Sequence, residues 1–135
     1  MSALIVVVAV LVLATIYGAL DRKRSGLIKS KDDSINQITP HDIGSELGKS
    51  ATVLQFSSAF CSPCRTTRSI LTSVMEHFPN MKHVEVDAEK NLELVRRLKI
   101  YQTPTTLFLN ASGKEIARAV GAPKRDQVIS ALQNI

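Results

Sequence analysis

From Ala3 to Leu20 the chain reads ALIVVVAVLVLATIYGAL, 18 residues without a charged side chain. As a helix rising 1.5 Å per residue, such a run spans about 27 Å, enough to cross the hydrocarbon of a bilayer. It is apolar on every side, whereas a helix lying on a folded domain needs a polar stripe for water. These residues are therefore set aside for a membrane, and the fold has to be built from the residues after Leu20. With 135 residues in all, there is room for one domain of ordinary size and not for a second enzyme.

A cleaved secretory signal carries basic residues ahead of its apolar stretch and a small-residue cleavage site behind it. Here only Met1 and Ser2 precede the run and charge comes at once after it, so an uncleaved anchor is expected. Arg22, Lys23, Arg24, Lys29 and Lys31 all lie on its carboxyl side. The positive-inside bias then places the domain beyond them in the cytoplasm, on a single-pass protein of the cell membrane. The first 31 residues carry +4 of the net charge of +5: Asp21 is the one acid among them, and the remainder carries 12 basic and 11 acidic side chains. A basic stretch beside an anchor is drawn to anionic lipid, so residues 3–31 are read as the membrane contact and nucleic acid is not expected as a partner. The expected organisation is an anchor over residues 1–20, a basic juxtamembrane linker over 21–34, and a folded domain over 35–135.

Within that domain the periodicity switches repeatedly between strand and helix. A short strand is expected at residues 35–38. Thr39 is then placed to cap a helix with Pro40 at its first position, running to about Leu47 and ended by Gly48. ATVLQFS, residues 51–57, reads as a buried strand. A helix from Cys61 or Pro63 to His77 would present Ile70, Leu71, Val74, Met75 and Phe78 to a sheet. Residues 82–87 alternate, with Val84 and Val86 on one side, and Leu92, Val95 and Leu98 mark a third helix. Leu107 to Leu109 is apolar strand, Asn110 to Gly113 a turn, and residues 115–120 a last strand. Gly121 and Pro123 precede a helix carrying Val128, Ile129 and Leu132. The order β-α-β-α-β-α-β-β-α implies an α/β fold, with a mixed sheet flanked by helices on both faces.

Two cysteines are present, in the sequence Cys61-Ser62-Pro63-Cys64, where the buried strand passes into a helix. Thiols three residues apart at a helix start can close a disulfide if the turn has the right form. Unpaired amides and the helix dipole at that end favour a thiolate, and Cys61 is the residue so placed. Pro63 fixes its own φ and gives up an amide that the first turn leaves unbonded anyway. Cys61 is thus expected to attack a substrate disulfide, and the more buried Cys64 to resolve the mixed disulfide. Two thiols cannot complete a tetrahedral zinc site, and His41, His77 and His83 are scattered, so no metal and no cofactor is expected. A purely structural role suits the pair poorly, because so short a loop restricts the unfolded chain little.

The CSPC run after a buried strand, Thr103-Pro104-Thr105 opening a later strand, and Val120-Gly121-Ala122 before the last helix together resemble the thioredoxin family, and with the anchor a membrane-bound bacterial member of it. The resemblance covers roughly residues 35–135 and implies the thioredoxin fold. It implies that Pro104 is cis and packs beside the cysteines, and that the backbone of Thr103 pairs with bound peptide, with Gly121 close by in the same substrate-binding surface. Phe60 stands where the family usually has Trp. The buried Asp that the family places six residues before the first cysteine is here Gln55, an amide that takes no proton at ordinary pH. The Lys facing that Asp corresponds to His83. His83 is therefore weighed both as a substitute base near Cys64 and as the neutral hydrogen-bond partner of Gln55.

The expected function is a thiol–disulfide oxidoreductase that reduces disulfide-containing protein substrates on the cytoplasmic face and is recharged by an upstream reductase or thiol donor. Its place is in electron transport and cell redox homeostasis. An outward-facing oxidoreductase in disulfide formation, isomerisation or cytochrome maturation differs from this only in topology and redox poise. A redox-inert binding module of the same fold would leave both cysteines, Pro63 and Pro104 without a purpose.

Overall fold

A computed structural model of the chain describes residues 1–24, 28–30 and 37–135. The apolar run lies in a long helix, α1 (Ser2–Arg24), whose window Ala3–Leu20 is not buried by the rest of the protein and is long and apolar enough to cross a membrane. After it come β1 (Ile28–Ser30), α2 (Pro40–Ile43), β2 (Ala51–Ser57), α3 (Ser62–Met75), β3 (Met81–Asp87), α4 (Leu92–Arg97), β4 (Thr105–Asn110), β5 (Glu115–Val120) and α5 (Arg125–Gln133). The strands form one sheet in the order β1-β5-β4-β2-β3. Only β2 and β3 run parallel; the other neighbouring pairs are antiparallel.

Alternation along the central strands builds two apolar layers. Leu54 and Phe56 of β2 join Val84, Val86, Leu107 and Leu109 under Leu94, Leu98 and Ile38. Val53, on the opposite face, joins Phe108, Ala117 and Ala119 under Leu71 and Val74 of α3 and Val128 and Leu132 of α5. Each fully buried aliphatic side chain here contributes roughly 1.5–3 kcal/mol relative to leaving it in water. Ile70, Met75, Phe78 and Ile129 pack half-buried around that second layer, so the stripes expected on α3 and α5 are the ones used.

The structure departs from the sequence reading in three places. Residues 35 and 36 of the strand expected at 35–38 lie outside the described residues, and Gln37 and Ile38 are not in a strand. The edge strand is instead β1, inside the segment read as a linker, paired antiparallel with β5 as Ile28↔Ala119, Lys29↔Arg118 and Ser30↔Ala117. Three residues flanked by charges show no alternation of their own, and the open edge of β5 supplies the pairing. Helix α2 stops a turn early, at Ile43. Thr39 and Asp42 close a capping box at its start, while Gly44 adopts φ 62° and donates its N–H to the Pro40 carbonyl at its end. At α4, Val95 packs half-buried against the core and the C-cap Leu98 is buried as expected, but Leu94 is buried where Leu92 was expected and Leu92 is exposed.

Candidate functional site

Strand β2 delivers the chain into the turn before α3, and there Cys61 and Cys64 form a disulfide with Cα atoms 5.2 Å apart. Cys61 is the N-cap of α3, in extended conformation, and its Sγ accepts the N–H of Cys64 at 3.2 Å. Its position at the unpaired amides of a 14-residue helix favours the thiolate once the disulfide is opened. Cys64 is buried, at 1% exposure, while Cys61 retains access to solvent. Pro63 lies in the first turn and costs the helix no hydrogen bond. Phe60 is fully exposed and stands out from the surface beside the pair.

The peptide bond between Thr103 and Pro104 is cis. Pro104 is buried, and its carbonyl accepts the N–H of Gly121 at 2.9 Å. Gly121 has φ 84°, a backbone region that side-chain-bearing residues rarely adopt, which is why glycine stands at the end of β5. The Thr103 hydroxyl lies 3.0 Å from that of Ser58, joining the proline loop to the strand that leads into the cysteines. Residues 103, 104 and 121 therefore come together at the cysteine end of the sheet.

Beneath Cys64, alternation on β2 and β3 directs polar side chains into the α3 face. Gln55 is completely buried and donates from Nε2 to the Cys64 carbonyl and to Ser57 Oγ, both at 3.0 Å. A carbonyl can only accept, so the orientation of the amide is determined, and Gln55 Oε1 must accept from His83 Nε2 at 3.0 Å. Ser57 is then free to donate its hydroxyl proton to Glu85, which Arg68 of α3 grips side-on with bonds of 2.6 and 2.5 Å. The Arg68 guanidinium and the Ser57 hydroxyl hold the Glu85 carboxyl below its usual range against the opposing effect of burial. Burial pushes the His83 imidazole below its ordinary value, only partly offset by the Glu85 charge, so the ring is neutral at pH 7.

The structure brings His83 to Gln55 as a hydrogen-bond partner, with the ring nitrogen that faces the amide carrying the proton. Ser57, Ser58, Arg68 and Glu85 were not singled out from the sequence. The available signal was parity, since the parallel register sets Gln55 beside Glu85 and Ser57 beside Asp87, all on the side facing α3. Among the described residues no cluster of His, Cys, Asp and Glu converges as a metal site would require.

The sequence model of the thioredoxin family matches residues 35–134. This chain belongs to the thioredoxin family. It is 30% identical over 98 residues to thioredoxin H5 of Oryza sativa subsp. japonica, covering 73% of this chain and 67% of that protein. It is also 30% identical over 78 residues to thioredoxin H-type 1 of Nicotiana tabacum, covering 58% and 61% respectively. The match thus spans about two thirds or less of these relatives. Among solved structures, thioredoxin from Trypanosoma brucei brucei superposes with a TM-score of 0.60 at 23% identity, over 78% of this chain and 92% of that one. Thioredoxin f2 of Chlamydomonas reinhardtii does so at 0.59 and 23%, over 73% and 88%. At that identity the structures speak for the fold, which is the thioredoxin fold expected from the sequence. Membership of the family together with the Cys61–Cys64 pair supports a thioredoxin-type thiol–disulfide oxidoreductase.

Proposed function

We propose that the protein reduces protein disulfides through Cys61 and Cys64 while tethered to a membrane by α1, with its domain on the cytoplasmic side. The observation that carries the chemistry is the asymmetry of the pair. The accessible sulfur sits at the helix N-cap, where an amide and the dipole favour its thiolate, and the other sulfur is buried behind it.

In the reduced protein the Cys61 thiolate attacks a substrate disulfide, forming a mixed disulfide and releasing the first substrate sulfur as thiolate, which takes a proton from solvent. Cys64 then loses its proton and attacks Cys61 Sγ, closing the intramolecular disulfide and expelling the second substrate thiol. Two electrons pass from the dithiol to the substrate; one of the two protons comes from Cys64 and the other from solvent, and an upstream dithiol or reductase must return the electrons. Thr103, Pro104 and Gly121 offer the backbone surface against which a substrate peptide is laid. Phe60 presents an apolar face beside it.

The membrane reading rests on the length and composition of Ala3–Leu20, and the cytoplasmic side on the five basic residues from Arg22 to Lys31. The protein is expected to catalyse dithiothreitol-dependent reduction of a soluble protein disulfide. Cys61→Ser should abolish this, and Cys64→Ser should accumulate mixed disulfides with partners. Full activity in both variants would overturn the enzymatic reading. Labelling of reduced Cys61 in intact cells by an impermeant thiol reagent would replace the cytoplasmic reductase with an outward-facing oxidoreductase.

A further inference from the structure

We infer that the cysteine end of the sheet is held toward the membrane surface, so that the partners are membrane proteins presenting a disulfide close to the lipid headgroups. The inference rests on the membrane anchor of the proposed function. It begins from β1, which shortens the free connection between α1 and the domain.

Helix α1 continues four residues past Leu20, about 6 Å beyond the apolar window. Only three residues separate Arg24 from Ile28, the first residue of β1, and the four peptide units between them reach at most about 14 Å. Ile28 is therefore confined to within roughly 20 Å of the hydrocarbon edge, a distance that includes the headgroup layer itself. A free linker from Leu20 to residue 35 would have reached about 50 Å and left the domain unoriented.

The register decides which end of the domain is tethered so closely. Ile28 pairs with Ala119, beside Val120 at the end of β5, while Ser30 pairs with Ala117, nearer the far end where the Ile38 N–H meets the Gly113 carbonyl. Val120 in turn pairs with Thr105, and Gly121 donates to the Pro104 carbonyl. The point where the chain enters the domain thus lies at the same end of the sheet as the cis proline and the disulfide. It is separated from β2 by three strand spacings, about 14 Å.

The surface of that end is independently suited to the neighbourhood. Outside α1, the large apolar side chains exposed among the described residues are Phe60, Leu92, Tyr101, Val120 and Ile135. The first four lie at the cysteine end: Phe60 precedes Cys61, Val120 closes β5, and Leu92 and Tyr101 line one recess with Ser58 and Thr103. Exposed Phe and Tyr suit the boundary between water and lipid. Lys124, exposed just beyond Gly121, adds positive charge for anionic headgroups.

The test uses the full chain reconstituted in phospholipid vesicles that carry a headgroup quencher, with the native cysteines kept as their disulfide. A fluorophore is attached through Ala122→Cys at the cysteine end or Ala111→Cys at the opposite end, both exposed positions. A seven-residue strand separates the two ends by roughly 20 Å, so the label at 122 is expected to be quenched at least about twofold more strongly. Equal quenching, or stronger quenching at 111, in a protein that floats with the vesicles overturns this inference and leaves the anchor standing. Failure to float overturns the anchor, and the inference falls with it.

Discussion

Replacing His83 by glutamine separates a structural imidazole from a catalytic one. Glutamine can still donate to Gln55 Oε1, so the chain from position 83 through Gln55 to the Cys64 carbonyl is retained while the titratable group is removed. The native imidazole is held below its ordinary value of 6.5 by burial, so in the folded protein it resists a proton that the unfolded chain accepts. Above that pH the ring is neutral in both states and contributes no pH dependence. As the pH falls below 6.5 the unfolded state binds more protons, and stability is lost until the folded-state value is reached. Linkage limits the loss to at most about 1.4 kcal/mol at one unit below the ordinary value, and partial exposure of the ring reduces it below that ceiling. For a domain of about 100 residues each 1 kcal/mol lost lowers Tm by roughly 4–8 °C. Unfolding of wild type and His83→Gln, monitored by circular dichroism between pH 7.5 and 5.5, should show this acid-side fall shallower in the variant. Disulfide reduction at pH 7 should be nearly unchanged. A large loss of turnover in His83→Gln, with the acid limb of the rate profile displaced, would refute the reasoning and make the imidazole a base for Cys64.

The fold makes two further outcomes testable. A soluble protein beginning at residue 32 lacks β1 and exposes the edge of β5, and it should be less stable and more prone to associate than one beginning at residue 25, as read by urea unfolding and light scattering. Asp42→Asn removes a carboxylate that bonds the Thr39 N–H and pairs with Arg97 at 2.9 Å, and it should cost about 1–2 kcal/mol by chemical denaturation. Hydrogen bonding from Arg97 lowers the Asp42 carboxyl from 3.8 to about 2, so its stabilisation is complete above 3.8 and is lost as the pH falls through about 2. The difference between wild type and variant should narrow over that window.

Much of this protein was legible in contiguous sequence. Eighteen uncharged residues, a dithiol at a strand-to-helix junction, a Thr-Pro-Thr opening a strand and a Gly ending one each carry their meaning within a few positions. Local backbone preference and periodicity place them in their elements, and the resemblance to the thioredoxin family implies the parts of Pro104 and Gly121. The apolar runs of β2 and β4 likewise read as buried strands, and the β-α-β order as helices on both faces, without any knowledge of which strands are neighbours. Tertiary structure decided the rest, because strand pairing and buried hydrogen bonds join residues whose separation leaves no local signature. Lys29 gained its strand only from Arg118, far along the chain on an edge that the sheet had left open. Gln55 and His83 are 28 residues apart, and their neutral pairing results from the register of β2 on β3 together with burial under α3. That same register sets Ser57 and Glu85 within the network and brings Arg68 of α3 over Glu85, a placement that no property of the isolated residues determines.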